Sequence, residues 1–330
     1  MSRVNVVAFE NGVGNSRDLA LITAALEALG CEVTVTRIST GERRRRRSVV
    51  ARALAVARRW AGVQPADGFD YTVMMEHVWP GQLHRAHCNI VMPNPEWFDR
   101  GDRRLLSFVD WAWTKTAHAR DVFVGLGCRT TLTGFDSDDR HDPTVPRETA
   151  FLHLAGKSRM KGSGRLVALW ARHPEWPQLS VVHSRKAAFR IVAAPNIGYH
   201  PEFLSDTELR RIQNAHAFHV CLSETEGWGH YIPEALSVGA VVIATNAAPM
   251  NELVTTERGL PVRAAAIGRQ HLATTYGFDE ADFEHQVGVA LGLSLAERIA
   301  LGASARTWFL ANKADFPQRL GRALEAAQSS

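Results

Sequence analysis

The feature that most constrains this chain is an early unit of two strands around a helix. "VNVVAF" (Val4–Phe9) is apolar almost without interruption, and a strand of that kind needs cover on both faces. A glycine-rich turn, "ENGVGN", follows it. Leu19, Ile22, Leu26 and Leu29 then recur at helical spacing, with Gly30 as the stop. "CEVTVTRI" (Cys31–Ile38) reads as the next strand. Strand, turn, helix, strand is the opening unit of a doubly wound α/β domain. "DYTVMMEHV" (Asp70–Val78) and "NIVMP" (Asn89–Pro93) continue the series, and "FVDWAWTKTAHARDVFVGLG" supplies a short strand and a helix.

The hydrophobic signal stops at "DSDDRHDPTVPR" (Asp136–Arg147), which reads as a linker, and then restarts. "TAFLHLAG" is a strand, "GSGRLVALWARHPEW" a helix, "LSVVHS" a strand and "FRIVAAPNIG" a strand and turn. "SDTE" (Ser205–Glu208) has the form of a capping box opening the helix "TELRRIQNAH". "AFHVCLS" is a strand, "YIPEALSVG" a helix closed by Gly239, and "AVVIAT" another strand. The last 35 or so residues read as helices. A chain of 330 residues suits two domains of ordinary size. The expected division is 1–147 and 148–330, with the final helix crossing back to the first domain. Two such domains in tandem put a cleft between two sets of strand ends, where open α/β sheets bind ligands.

Several function classes are disfavoured. The net charge of +4 is mild, and much of it sits in "GERRRRRS", so nucleic acid is not expected as a partner. No apolar run is long enough to cross a bilayer, and the start lacks a signal-peptide layout. Cys31, Cys88, Cys128 and Cys221 are far apart and read as reduced thiols of a cytosolic protein. A dinucleotide site would need a third glycine where Arg17 stands after Gly12 and Gly14, and an acid where the second strand ends in Thr36-Arg37. A P-loop is absent. Gly12 and Gly14 then mark either a tight turn or a close backbone approach to a ligand on the acceptor side.

The richest stretch is "SETEGWGHYIPEALSVGAVVIATNAAPMNELV" (Ser223–Val254). Glu226 and Glu234 flank Gly227, Trp228, Gly229 and Pro233. Strand end, glycine turn and helix start together offer free N–H groups to a phosphate. A carboxylate on the helix can accept two hydrogen bonds from the vicinal diol of a ribose, and one on the loop can reach a second set of hydroxyls. Phosphate, ribose and sugar together describe a nucleotide sugar.

On these residues the chain resembles retaining glycosyltransferases of the GT-B fold, in the large family numbered four. The family pattern runs roughly Ser-x-x-Glu-Gly-Phe-Gly-x-x-x-x-Glu-Ala, and here Trp228 stands at the Phe position. "HLAGKSRMKG" (His153–Gly162) resembles the same family's Gly-Arg…Lys-Gly stretch; Lys161 matches the Lys, and Lys157 follows Gly156 where Arg is usual. The resemblance covers about Leu152 to Leu253. It implies an α/β chain with two Rossmann-like domains facing a central cleft. It also implies that Glu234 binds the ribose, that Glu226 contacts the donor sugar, and that Lys157 and Lys161, with Arg159 sharing the role, neutralise the diphosphate. Ser223 could touch phosphate, and His230 could face the sugar. His77, at the end of "DYTVMMEHV", matches a family histidine that lines the reaction centre. The implied reaction is front-face transfer with retention, without an obligatory metal or other cofactor. A double displacement through Glu226 is the less favoured course.

The implied partners are a nucleotide-sugar donor and a saccharide, lipid-linked or small-molecule acceptor. A GT-B epimerase and a non-catalytic nucleotide-sugar-binding protein are the alternatives. "RRRRRSVVARALAVARRW" (Arg43–Trp60) reads as a surface helix packing a Val/Leu stripe on its sheet; the second reading is a basic amphipathic helix on the anionic inner face of a membrane. "DSDDRHD" reads as a solvated acidic loop in preference to a metal motif. "MPNPEWF" is either a rim of the acceptor cleft or a rigid loop packing Trp97.

Overall fold

The computed structural model describes residues 1–9, 14–39, 41, 50, 53–54, 57, 61, 68–185, 188–201 and 204–328. Gly12, the run Arg43–Arg47 and most of the segment up to Trp60 lie outside the described residues; of the apolar stripe expected to pack on the sheet, Val50, Ala53, Leu54 and Ala57 are described, and all four are exposed. The chain divides into two compact units. One is Met1–Asp136 with Gln270–Ala273 and Asn312–Ser330; the other is Ser137–Arg269 with Thr274–Ala311.

The first unit carries β1 (Arg3–Ala8), α1 (Gly14–Ala28), β2 (Glu32–Arg37), β3 (Phe69–Glu76), β4 (Ala86–Pro93), α2 (Arg100–Arg103), β5 (Trp111–Thr114), α3 (Ala117–Gly125) and β6 (Thr130–Leu132). The strands form one sheet in the order β2-β1-β3-β4-β5-β6, and every adjacent pair is parallel. The uninterrupted apolar runs are explained by this sheet: Val4, Val6, Val7, Val73 and Met74 are fully buried. Leu19, Ile22 and Leu26 of α1 face the core, whereas Leu29 lies past the helix end and is exposed. The strand order reverses beside β1, which makes the carboxyl ends of β1 and β3 the switch point where such sheets take ligands.

The second unit carries β7 (Glu148–Gly156), α4 (Ser163–Trp170), β8 (Leu179–His183), β9 (Ile197–His200), α5 (Asp206–Ala215), β10 (His216–Cys221), α6 (Tyr231–Ser237), β11 (Val241–Asn246), α7 (Met250–Leu253), β12 (Leu260–Gln270), β13 (Ala273–Phe278) and α8 (Glu280–Gly292). The last helix, α9 (Leu295–Gln328), counts with this unit up to Ala311 and with the first from Asn312. The sheet order is β13-β12-β11-β10-β7-β8-β9, parallel from β12 to β9. Its order reverses between β7 and β10, and Phe151 stacks on Phe218 across that pair at 4.5 Å. The capping box forms as the sequence predicts, with Ser205 Oγ accepting from Glu208 N and the Glu208 carboxylate accepting from Ser205 N.

Three readings change. "FRIVAAPNIG" enters the sheet only at Ile197, because the Tyr199 hydroxyl, not a neighbouring strand, bonds both the N–H and the C=O of Val192. The helix begun at Ser163 ends at Trp170, ahead of the Pro174 that disfavours helical backbone at His173. The segment after Asp136 is no solvated acidic loop. Ser137 is fully buried, Arg140 is 4% exposed, and Asp139 pairs with Arg306 at 2.9 Å.

Candidate functional site

The β7 and β10 carboxyl ends open the second unit's switch point. The loops that leave them are tied together, with Glu224 N donating to Met160 O at 2.7 Å. Gly162 starts α4 in the left-handed region at φ 66°, and a Cβ there would lie 2.5 Å from the Leu222 carbonyl oxygen. Glycine at this point lets the helix begin directly against the end of β10. The close approach delivers Lys161 to the other loop. Its Nζ lies 2.6 Å from Glu226 Oε1 and 3.3 Å from the centre of the Tyr231 ring. Ser223 Oγ donates to the same Glu226 oxygen at 2.5 Å and lies 2.5 Å from the Tyr231 hydroxyl. Gly229, at φ 74°, leaves no room for a Cβ, which would meet Glu226 Cγ at 2.9 Å. Burial, before all other causes, pushes the Tyr231 phenol well above its ordinary pKa, so the ring stays neutral beside the carboxylate.

Glu234 sits on α6 with 2% exposure. Gln213 Nε2 donates to Glu234 Oε2 at 2.9 Å, and Gln213 Oε1 accepts from Arg140 Nε at 2.9 Å. A guanidinium has no acceptor, so it fixes which end of the Gln213 amide faces it. The amide N–H is then left to meet the carboxylate. Arg140 is itself held by Asp206 Oδ1 at 2.7 Å, and its backbone N–H donates to Ser237 Oγ at 3.0 Å. Gln213 and Arg140 were not marked from sequence. The available signal was a glutamine next to Ile212 on the buried side of an otherwise charged helix.

Ser137 Oγ joins two more residues of the motif: Trp228 Nε1 donates to it at 3.0 Å, and His230 Nδ1 lies 2.7 Å away. Gly156 ends β7 at φ 56°, with open space where a Cβ would point. Gly227 is buried within the turn. Lys157 and Arg159 are exposed and have no partner among the described residues. The structure therefore brings Lys161, Ser223, Glu226 and Tyr231 into contact, while Glu234 lies in the adjoining Gln213–Arg140 network.

Two buried histidines brace this floor. His153 Nδ1 lies 2.9 Å from Val220 O and its Nε2 2.8 Å from Ser163 Oγ, so it ties β10 to the start of α4. His219 Nε2 lies 2.8 Å from Gln213 O. Burial lowers His153 to about 4 and His219 to about 3. Both are neutral near pH 7.

In the first unit His77 follows the end of β3. Its Nδ1 lies 2.9 Å from Asp102 Oδ2, and that buried carboxylate also accepts from Val78 N at 3.0 Å and Asp99 N at 3.1 Å. A carboxylate held by backbone donors acts as an acceptor, which assigns the ring proton to Nδ1. Nε2 lies 3.6 Å from Glu76 Oε2. Glu76 adopts φ 64°, a left-handed backbone that costs a non-glycine residue of the order of 1 kcal/mol or more and recurs at functional sites. Sequence reading missed Asp102, which follows His77 by 25 residues and gives no local signal. Gly14 begins α1. In "MPNPEWF" it is Phe98 that packs in the core, while Trp97 is 44% exposed. Among the described residues no cluster of three or more His, Cys, Asp or Glu could hold a metal ion. No single described helix is long and apolar enough to cross a membrane.

No protein-family model matches the chain. A curated relative, "Putative glycosyltransferase ORF378" of Acidianus filamentous virus 2, is 30% identical over 135 residues. That match covers 37% of this chain and 36% of the viral protein, so the chain spans about a third of the length of the curated relative it matches. Solved structures are similar over the whole chain. Sucrose-phosphate synthase from Thermosynechococcus elongatus is 14% identical with a TM-score of 0.73, covering 100% of both chains. The E. coli trehalose-6-phosphate protein bound with UDP-2-fluoro glucose is 12% identical with a TM-score of 0.70, covering 100% of this chain and 99% of that one. Anabaena HepE in complex with UDP and glucose is 12% identical with a TM-score of 0.67, covering 99% and 100%. Two parallel-sheet, Rossmann-like units and these neighbours give the chain the fold of the GT-B glycosyltransferases.

Proposed function

We propose that this chain is a retaining glycosyltransferase that moves a sugar from a nucleoside-diphosphate donor to a saccharide, lipid-linked or small-molecule acceptor. The observation that carries the reading is the Lys161–Glu226 contact of 2.6 Å at the switch point of the second sheet. It sets a cation suited to a diphosphate against a carboxylate suited to sugar hydroxyls. The name of the viral relative and the UDP ligands named for the neighbours support the same reading.

When the bond from the anomeric carbon to the phosphate oxygen breaks, negative charge grows on the leaving diphosphate. Lys161, with Lys157 and Arg159 on the same loop, stabilises that charge in this reading. The acceptor oxygen forms its bond on the face the diphosphate leaves, and its proton passes to the departing phosphate oxygen. Glu226 holds the donor sugar and His230 faces it. Glu234 accepts from the ribose diol, with Gln213 keeping its carboxylate in place. His77, oriented by Asp102, lines the reaction centre. Charge neutralisation by side chains makes a divalent ion unnecessary, so EDTA should leave turnover unchanged. The reading assigns the chain to the cytoplasm, where it would meet nucleotide sugars.

The test is thermal unfolding with UDP, GDP, ADP and dTDP, for the wild type and Glu234→Ala. A nucleotide at about a hundred times its dissociation constant should stabilise the wild type by roughly 2.7 kcal/mol and the variant by much less. The matching nucleotide sugars, screened against acceptors with product masses read out, should then give a glycosylated product. No shift with any nucleotide at millimolar concentration would overturn the donor site; binding without product would leave a nucleotide-sugar-binding protein.

A further inference from the structure

The first unit holds a second concave site that the transfer reaction does not use. An open hollow of about 910 Å³ is lined by Arg100, Arg103, Arg104, Cys128 and Arg129. Val109 and Asp110 precede β5 and Cys128 and Arg129 precede β6, so it opens at the amino ends of these strands. His77 sits at the opposite, carboxyl end of the sheet.

The charges around this cavity are unbalanced. Arg100, Arg103 and Arg104 have no ion pair or side-chain hydrogen bond among the described residues, and Arg129 meets only the Trp111 ring, at 5.9 Å. Asp110 is the one carboxylate on the lining, and its Oδ2 is taken by the Asn89 N–H at 2.7 Å. Arg100 and Arg104 are also four residues apart along one turn, a like-charge spacing that costs a few tenths of a kcal/mol. The four arginines around this hollow are all exposed, and an anion relieves their mutual repulsion, since their forked donors match phosphate oxygens bidentately.

We propose that this cavity binds a ligand carrying two or more phosphate groups, through Arg100, Arg103, Arg104 and Arg129. The inference stands apart from the donor reading, whose diphosphate site lies in the second unit. Free phosphoesters and lipid headgroups share this chemistry, so the test carries an arm for each.

Cys128 on the wall is the reporter. The full chain with Lys161→Ala, which weakens the second unit's phosphate site, is alkylated with iodoacetamide. Reaction at Cys128 and Cys31 is followed by peptide mass spectrometry, with inorganic pyrophosphate or vesicles of cardiolipin, a lipid with two phosphates, added. Saturating pyrophosphate should slow Cys128 at least fivefold and leave buried Cys31 unchanged. Arg104→Ala with Arg129→Ala should abolish the protection. Protection by vesicles alone would assign the same site to lipid headgroups. No protection by either, protection that survives the double substitution, or equal slowing of Cys31 would each overturn the proposal.

Discussion

The buried histidines beneath the Glu226 loop make the second unit acid-sensitive in a defined way. An unfolded histidine titrates near 6.5. Burial, the largest cause, holds His153 at about 4 and His219 at about 3, and lowers His216 as well. Each neutral imidazole therefore contributes its full stability above about pH 6.5. The contribution is lost as the pH falls toward the folded value, because the unfolded chain takes up a proton the folded one refuses. Over the whole window this amounts to about 3 kcal/mol for His153 and about 5 kcal/mol for His219. Between pH 6 and 4.5 the two together give a slope of about 2 kcal/mol per pH unit, against a total stability of roughly 5–15 kcal/mol for a domain. Hydrogen exchange of β7 and β10 peptides, corrected for intrinsic rates, measures the opening free energy across this range. His219→Gln removes one of the two titrations and should lower the slope by about 1 kcal/mol per pH unit. Surface carboxylates contribute equally to both proteins. Identical slopes would refute the claim that His219 is held neutral by burial.

Two further outcomes follow from the glycines and the amide. Gly162→Ala adds a Cβ 2.5 Å from a backbone oxygen at φ 66°, whereas Gly156→Ala adds one at φ 56° in open space. Urea unfolding should show a loss of about 2–4 kcal/mol for the first and about 1 kcal/mol for the second; equal losses would mean that the approach of α4 to β10 is not tight. Gln213→Leu should weaken the preferred ribonucleotide about tenfold, since the buried Glu234 carboxylate loses its amide donor. Calorimetry with the 2′,3′-dideoxy analogue separates positioning from general damage, because binding of that analogue should change little; an equal loss for both ligands would make Gln213 a structural residue only.

The apolar runs from Val4 and Thr149, the helical spacing of Leu19, Ile22 and Leu26, and the Ser205–Glu208 box determine two wound α/β units by themselves, because period and capping act over a few residues. Glu226, Gly227 and Gly229 marked one loop of the candidate site for the same reason. β12 and β13 were not foreseen: "RAAAIGRQ" is largely exposed and shows neither a buried run nor a clean alternation. Lys161 was legible as a basic residue, but its 2.6 Å contact with Glu226 depends on β7 and β10 being neighbours in the sheet although 59 residues separate their closest ends. Asp102 behind His77, Gln213 and Arg140 behind Glu234, and Ser137 between Trp228 and His230 likewise come from distant segments. Hydrogen bonds of that kind follow from strand order and from the cost of burying an unpaired polar group, and only the tertiary structure decides which groups meet.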